Sequence, residues 1–290
     1  MALVGGIEAG GTKFVCAIGD HTGEIRERVE IPTTFPAETM EEVIRFFHAY
    51  DIEALGIGSF GPIDVNRESP TYGFITSTPK QGWINYPIVS KMKEHFNVPI
   101  GFHTDVNAAA LGEGTYGAAK GLDSCLYMTI GTGIGAGALV GGKLLQGHSH
   151  PEMGHILIRR HPEDYYQGKC PYHIDCFEGL AAGPAIEARY GMKANELEER
   201  SDVWELEAYY IAQALMNFIL ILSPQKIILG GGVMKQQQVF PKIRKQLETV
   251  LKGYVDTPNL QDYIVSPGLG NNSGIIGSLI LAQQALHGKY

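Results

Sequence analysis

Four cysteines in 290 residues are too few for a disulfide framework. Basic residues are also in deficit, with 23 Lys and Arg against 31 Asp and Glu, a net charge of -8, and no basic run. That balance argues against a nucleic acid or an anionic membrane as the main partner. The N-terminus lacks a basic segment followed by a long apolar one, and no apolar run reads as long enough to span a bilayer. Nor is there a low-complexity tract or a long linker. A cytoplasmic protein is therefore expected, in a reducing compartment where closely spaced Cys and His serve as metal ligands or catalytic groups. What is present, 44% hydrophobic and 19% charged residues, is enough for one large domain or two smaller ones.

Glycine is where the chain becomes specific. In "LVGGIEAGGTKFVCAIGD" an apolar run from Leu3 to Ile7, a Gly10-Gly11 turn and a second run from Phe14 to Ile18 predict a β-hairpin. Gly6 to Lys13 nearly spells a P-loop, but Thr12 and Lys13 are in the wrong order and a strand follows where a helix should. The same device returns in "CLYMTIGTGIGAGALVGGKLL", with a strand ending near Ile130, glycines at 131, 133 and 135, and a strand through Val140. Such turns let backbone N–H groups approach an anion, which suits polyphosphate. A third cluster, "KIILGGGVM", predicts a strand ending at Leu229, a turn, and a helix from about Phe240. It reads either as an edge that abuts a nucleotide or as a plain connection between strand and helix. A long apolar helix is predicted over Asp202 to Leu222, and Ser273 is a candidate N-cap for a final apolar helix.

Two hairpin-led halves, each continuing in alternating strands and helices, suggest an α/β protein. "GIEAGGTK", "TDVNAAALGE", "IGTGIGAG", "EMGH", "FEGLAAGPAI" and "LGGGV" together resemble the ROK family of bacterial sugar kinases, in that family's order across almost the whole chain. "GIGSFGPID" and "TSTPKQGWINYPI" are similar to its fructokinase branch. The resemblance implies the duplicated actin-like ATPase (ribonuclease H-like) fold, two domains flanking a cleft. We expect residues 1–115 plus 273–290 to build the N-terminal domain and 116–272 the C-terminal one. The activity implied is ATP-dependent phosphorylation of a hexose, with D-fructose favoured and glucose or mannose as the alternatives. A homodimer is expected. Family members that regulate transcription carry a helix-turn-helix segment ahead of this fold; the present sequence opens at the first strand, so DNA binding is not expected.

Several residue roles follow from the same resemblance. In "GFHTDVNAAALGEG" a strand ends near Phe102 and Asp105 opens an alanine-rich helix. An Asp there is more often a cap than a base, but Asp105 matches the family's catalytic aspartate, which takes the proton of the attacking hydroxyl. Gly61, Thr104, Glu152, His155 and Glu178 are implied to hold the sugar. Gly10, Gly11, Thr12, Lys13, Gly131, Thr132, Gly133, Gly183, Pro184, Gly230, Gly231 and Gly232 are implied to hold ATP. An exposed strand role for Lys13 is the plainer alternative. Two departures stand out: Thr104 replaces the Asn common in relatives, which bears on sugar identity, and Glu8 stands where Asp is common. Mg²⁺ is expected on the nucleotide with Glu8 nearby, not in an all-protein cage.

The stretch "EMGHILIRRHPEDYYQGKCPYHIDCFEG" spaces His155, Cys170, His173 and Cys176 as H-x14-C-x2-H-x2-C. Two imidazoles and two thiolates suit a closed, structural zinc site, giving a zinc-binding loop over 155–176. His161 is a possible substitute for His155. The family's zinc loops more often have three cysteines, and His173 takes the place of one.

Overall fold

In the computed structural model, which describes residues 3–20 and 22–289, two five-stranded sheets form. The expected domain ends at residues 1, 2 and 290 lie outside the described residues. The first sheet contains β1 (Leu3–Ala9), β2 (Lys13–Gly19), β3 (Ile25–Pro32), β4 (Ile52–Ser59) and β5 (Ile100–Thr104), in the order β3-β2-β1-β4-β5. The second contains β6 (Cys125–Ile130), β7 (Ile134–Val140), β8 (Lys143–Leu144), β9 (Lys226–Gly230) and β10 (Ile264–Val265), in the order β10-β9-β6-β7-β8. Read from β8, the second order repeats the first. The pairing senses repeat too: each sheet has an antiparallel meander on one side and parallel strands on the other. Parallel pairing needs crossovers, and in the first sheet helices α1 (Pro36–Phe47) and α2 (Ile88–His95) supply them. In α1 a proline in the first turn sets the start, and Met40, Val43 and Phe47 form the buried stripe.

Both glycine hairpins form, the second with strands ending at Ile130 and Val140 as expected, while other strands run past their apolar runs. β1 continues to Ala9 and β9 to Gly230, because ladder hydrogen bonds to neighbouring strands carry the backbone past the last large side chain. For the same reason β5 does not end near Phe102 but reaches Thr104, paired with Ser59. Helix α3 (Asp105–Thr115) starts on the next residue. Downstream come α4 (Phe177–Ala181), α5 (Gly183–Tyr190), α6 (Ser201–Leu222), α7 (Val239–Leu251), α8 (Leu260–Tyr263) and α9 (Ser273–Leu286).

Helix α6 corrects one expectation. By length and composition it is apolar enough to cross a membrane. Its apolar residues are those of a core: Trp204, Tyr210, Ile211 and Leu215 are fully buried against β6, β9, α4 and α7.

Ser273 corrects another. It is the first helical residue of α9, not its cap, and its hydroxyl donates to Glu113 Oε1 at 2.7 Å. Glu113 is a fully buried carboxylate, and it also accepts the N–H groups of Ala118, Gly268 and Leu269. A buried charge needs donors, and this demand outranks the capping preference of serine. The result ties α3 to the segment that leads into α9. Gly277 brings the two helices into backbone contact, since a Cβ there would overlap the carbonyl of Ala108. Helices α3 and α9 therefore share a small core with both sheets, including Leu111, Cys125, Leu139 and Ile280.

Candidate active site

Asp105 occupies the junction of β5 and α3, where an aspartate ordinarily caps. Here Thr104 caps instead: its Oγ1 accepts the N–H of Asn107 at 3.1 Å. Asp105 accepts the N–H of Val106, at 2.8 Å through Oδ1. Loss of water first, and then the negative charges of Glu8 and Glu152, push its pKa up to about 7. Glu8 is likewise raised to about 7, chiefly by burial, against the opposing pull of Arg28 and Lys13. Its Oε2 is buried without a partner. Burial, with Glu178 adding to it, raises Glu152 to about 7 as well. Three carboxyls that resist ionising together mark a place where a cation or a set of hydroxyl donors is favoured.

Pairwise contacts link several of the residues expected to hold the sugar. A Cβ built on Gly61 would sit 3.6 Å from Glu152 Oε1 and 3.5 Å from His150 Cε1. Glu178 lies 4.0 Å from His155, Oε1 to Nε2. Thr104 is only 5% exposed, and its oxygen already accepts a helix N–H, so what it can offer a ligand is its hydroxyl hydrogen. His150, which sequence reading passed over, accepts the N–H of Ile63 at 3.0 Å and places Nδ1 3.5 Å from Glu152. Only its place two residues before Glu152 could have signalled it.

The glycine segments of the second half also converge. Gly131 donates to the carbonyl of Gly133 at 2.9 Å, and Gly183 donates to the carbonyl of Gly131 at 2.8 Å. A Cβ on Gly131 would lie 3.5 Å from the nitrogen of Gly232. Gly231 has φ +93 and its Cα faces the backbone of Ile130, so no other residue fits there without strain. The β6–β7 turn with exposed Thr132, the Gly183-Pro184 start of α5 and the 230–232 turn thus come together in one glycine-lined cradle. The β1–β2 turn of Gly10, Gly11 and Thr12 holds the equivalent position in the first sheet. It is braced by Thr33, whose hydroxyl donates to the Gly10 carbonyl at 2.7 Å. Lys13 takes the plainer of its two expected roles, an exposed strand lysine: its amine pairs with Glu30 at 2.7 Å on the neighbouring strand, and both side chains are about half exposed. A solvated opposite charge one strand away is the nearer partner.

The His and Cys of the 155–176 loop come together. Ligand atoms of His155, Cys170, His173 and Cys176 all lie within 4.8 Å of one another. His155 Nδ1 is 3.6 Å from each of the two sulfurs, and His173 Nδ1 is 3.8 Å from that of Cys170. Around a tetrahedral zinc with bonds of about 2.3 Å to sulfur and about 2.0–2.1 Å to nitrogen, such edges come to about 3.6 Å. The donor set and its spacing therefore fit that ion. Reciprocal backbone bonds between Cys170 and Ile174, 3.0 and 3.1 Å, fold the loop so that these side chains face inward. His161 lies apart, its ring edge-on to Tyr209 and its Nδ1 accepting the N–H of Glu163. Because His155 turns Nδ1 to this cluster, Nε2 is left facing Glu178.

The model of the ROK family matches residues 4–285. A Bacillus subtilis (strain 168) relative is 62% identical over 99% of this chain and 97% of its own. A protein of Pediococcus pentosaceus named fructokinase is 50% identical over 98% of this chain and 99% of its own. The crystal structure of a ROK family glucokinase from Streptomyces griseus, in complex with glucose and AMPPNP, superposes with a TM-score of 0.78 at 26% identity, covering 98% of this chain and 100% of that one.

Proposed function

The chain belongs to the ROK family, and we propose that it is an ATP-dependent hexose kinase whose sugar is D-fructose and whose product is fructose 6-phosphate. The duplicated sheets are the actin-like ATPase fold of ROK sugar kinases. One observation carries the catalytic reading: Asp105 stands at the start of α3, relieved of capping by Thr104, with a pKa near 7. A base so tuned takes a hydroxyl proton near neutral pH. The 6-hydroxyl oxygen, losing its proton to Asp105, attacks the γ-phosphorus of ATP. The bond to the β–γ bridging oxygen breaks, and ADP leaves with that electron pair.

Glu152, Glu178 and His155 Nε2 are assigned to the sugar hydroxyls, with Gly61 giving close approach. The 131–133, 183–184 and 230–232 segments are assigned to ATP, with the 10–12 turn opposite. Magnesium supplies charge neutralisation on the phosphates when bound. The buried Glu8, whose Oε2 has no partner, is the carboxylate suited to orient its water shell. Zinc held by His155, Cys170, His173 and Cys176 is assigned a structural role that fixes Glu178. A homodimer in the cytoplasm, and lobes of 1–115 with 273–290 and of 116–272, complete the reading.

The name fructokinase, carried by relatives at 50% and 46% identity, supports fructose over other hexoses. ADP release measured with fructose, mannose, glucose and N-acetylated hexosamines tests it. Fructose should give the highest kcat/KM. A higher value for glucose or mannose would overturn the choice of sugar, and no release with any hexose would overturn the kinase.

A further inference from the structure

We propose that His150 is a positioning residue for the hexose site, tying the 61–65 segment to the second lobe and aiming the carboxylate of Glu152. The inference rests on the reading of Glu152 as a sugar contact given above.

His150 is 8% exposed and lies between two elements far apart in sequence. On one side, Nε2 accepts the N–H of Ile63 at 3.0 Å. A ring nitrogen that accepts a backbone N–H carries no proton, so the hydrogen of the neutral ring resides on Nδ1. Burial lowers the pKa of His150, which keeps the ring neutral. On the other side, Nδ1 stands 3.5 Å from Glu152 Oε1, a close polar approach and not a formed hydrogen bond, and the ring also meets the carbonyl of Pro151. Contacts of this kind at active sites tighten when substrate binds. Only Pro151 separates the two residues, and its fixed φ makes the backbone route from ring to carboxylate stiff.

The anchor extends further. Gln146 donates to the carbonyl of Val65 at 3.3 Å, and Asn107 of α3 donates to the carbonyl of Leu145, also at 3.3 Å. The 145–150 segment is thereby fastened both to the loop after β4 and to the helix that starts at Asp105. With His150 beside one oxygen, Glu152 has the other to present to a sugar hydroxyl. Without the ring, the carboxylate keeps its charge but loses its aim.

The two ring nitrogens can be separated by substitution. Asn places its amide N–H where Nδ1 stands; Gln places its carbonyl where Nε2 stands. We expect His150→Ala to raise the KM for fructose about tenfold or more while the KM for ATP stays within about twofold. His150→Asn should recover most of the loss, and His150→Gln should not. A fructose KM for His150→Ala within about twofold of wild type would overturn the inference. So would equal rises in both KM values, or rescue by Gln and not by Asn, since those outcomes belong to a tie between lobes and nothing more. If the Ala variant does not fold, the Asn and Gln pair decides. Glu152→Gln is measured alongside: an unchanged fructose KM there means that the reading of Glu152 fails, whereas an impaired Glu152→Gln beside a normal His150→Ala sinks His150 alone.

Discussion

The backbone N–H of Ile134 donates to Glu178 Oε2 at 2.9 Å, while the other oxygen of Glu178 stands 4.0 Å from His155 Nε2. The turn assigned to ATP therefore holds a carboxylate assigned to the sugar, and the residue beside that carboxylate belongs to the metal cluster. Three subsites share side chains, so a change in one is felt in the others.

Gly133 packs directly on this carboxylate, because a Cβ there would lie 2.7 Å from Glu178 Oε2. Gly133→Ala should displace the carboxylate and lower kcat/KM for fructose by about tenfold, with the melting temperature little changed. Steady-state kinetics with each substrate varied, together with thermal unfolding, checks this. A variant with normal fructose kinetics would mean that Glu178 does not depend on the turn.

Asp105→Asn keeps size and hydrogen-bonding reach but removes the base. Turnover should fall about 10²–10⁴-fold while affinities for fructose and ATP stay within a few-fold. Single-turnover kinetics and calorimetric binding separate the two effects. Near wild-type turnover would exclude Asp105 as the base.

Acid should inhibit earlier than for an ordinary aspartate. With Asp105 raised to about 7, the active, ionised form is lost as pH falls through that value, so kcat/KM should rise between about pH 6 and 8. The limb belongs jointly to Glu8, Asp105 and Glu152, each near 7, and Glu152→Gln should move it to lower pH by removing one of the repelling charges. An acid limb centred below about pH 5 would contradict the crowding of these groups.

Removing zinc should weaken the sugar site and the fold together. Cys176→Ser, or dialysis against a strong chelator, should lower the melting temperature and raise the fructose KM before it alters the phosphoryl step. Metal analysis of the wild-type protein should give about one zinc per chain, held by the four ligands His155, Cys170, His173 and Cys176. Chelated protein with an unchanged melting temperature and KM would leave the cluster without this role.

Glu207, on α6, has its own pH signature. It is 1% exposed, its Oε1 has no partner, and burial raises its pKa to about 8 despite the charge of Arg189. A carboxyl raised in the folded state stabilises fully below its unfolded value, and that contribution is lost as pH rises through the folded one. Glu207→Gln should therefore flatten the fall in melting temperature between pH 5 and 9 by about 2–5 °C. A variant that falls as steeply as the wild type would show that Glu207 is not held neutral.

Much of this was legible because it is local. A hairpin is written in a glycine pair between two apolar runs, and the chain turns at Gly10-Gly11 and at Gly131 to Gly133 as expected, although Gly135 already belongs to β7. The loop holding Cys170, His173 and Cys176 is short enough that spacing limits geometry, and those residues meet. Lys13 was less legible, since nothing in the first hairpin reveals that Glu30 faces it across the next strand. Ser273 misled because a cap preference speaks only for its own helix, whereas the carboxylate that claims its hydroxyl lies 160 residues earlier.

The sequence by itself determined the two glycine-led halves, the order of the family motifs and the cysteine–histidine set, since each depends on neighbours along the chain. Only the tertiary structure decided that Thr104 caps so that Asp105 need not, that Ile134 pins Glu178, and that His150 meets Ile63 from 87 residues away. Residue patterns record which backbone shape a segment prefers. They carry no trace of which distant donor a buried carboxylate or imidazole will find, because that partner is set by how sheets and helices pack.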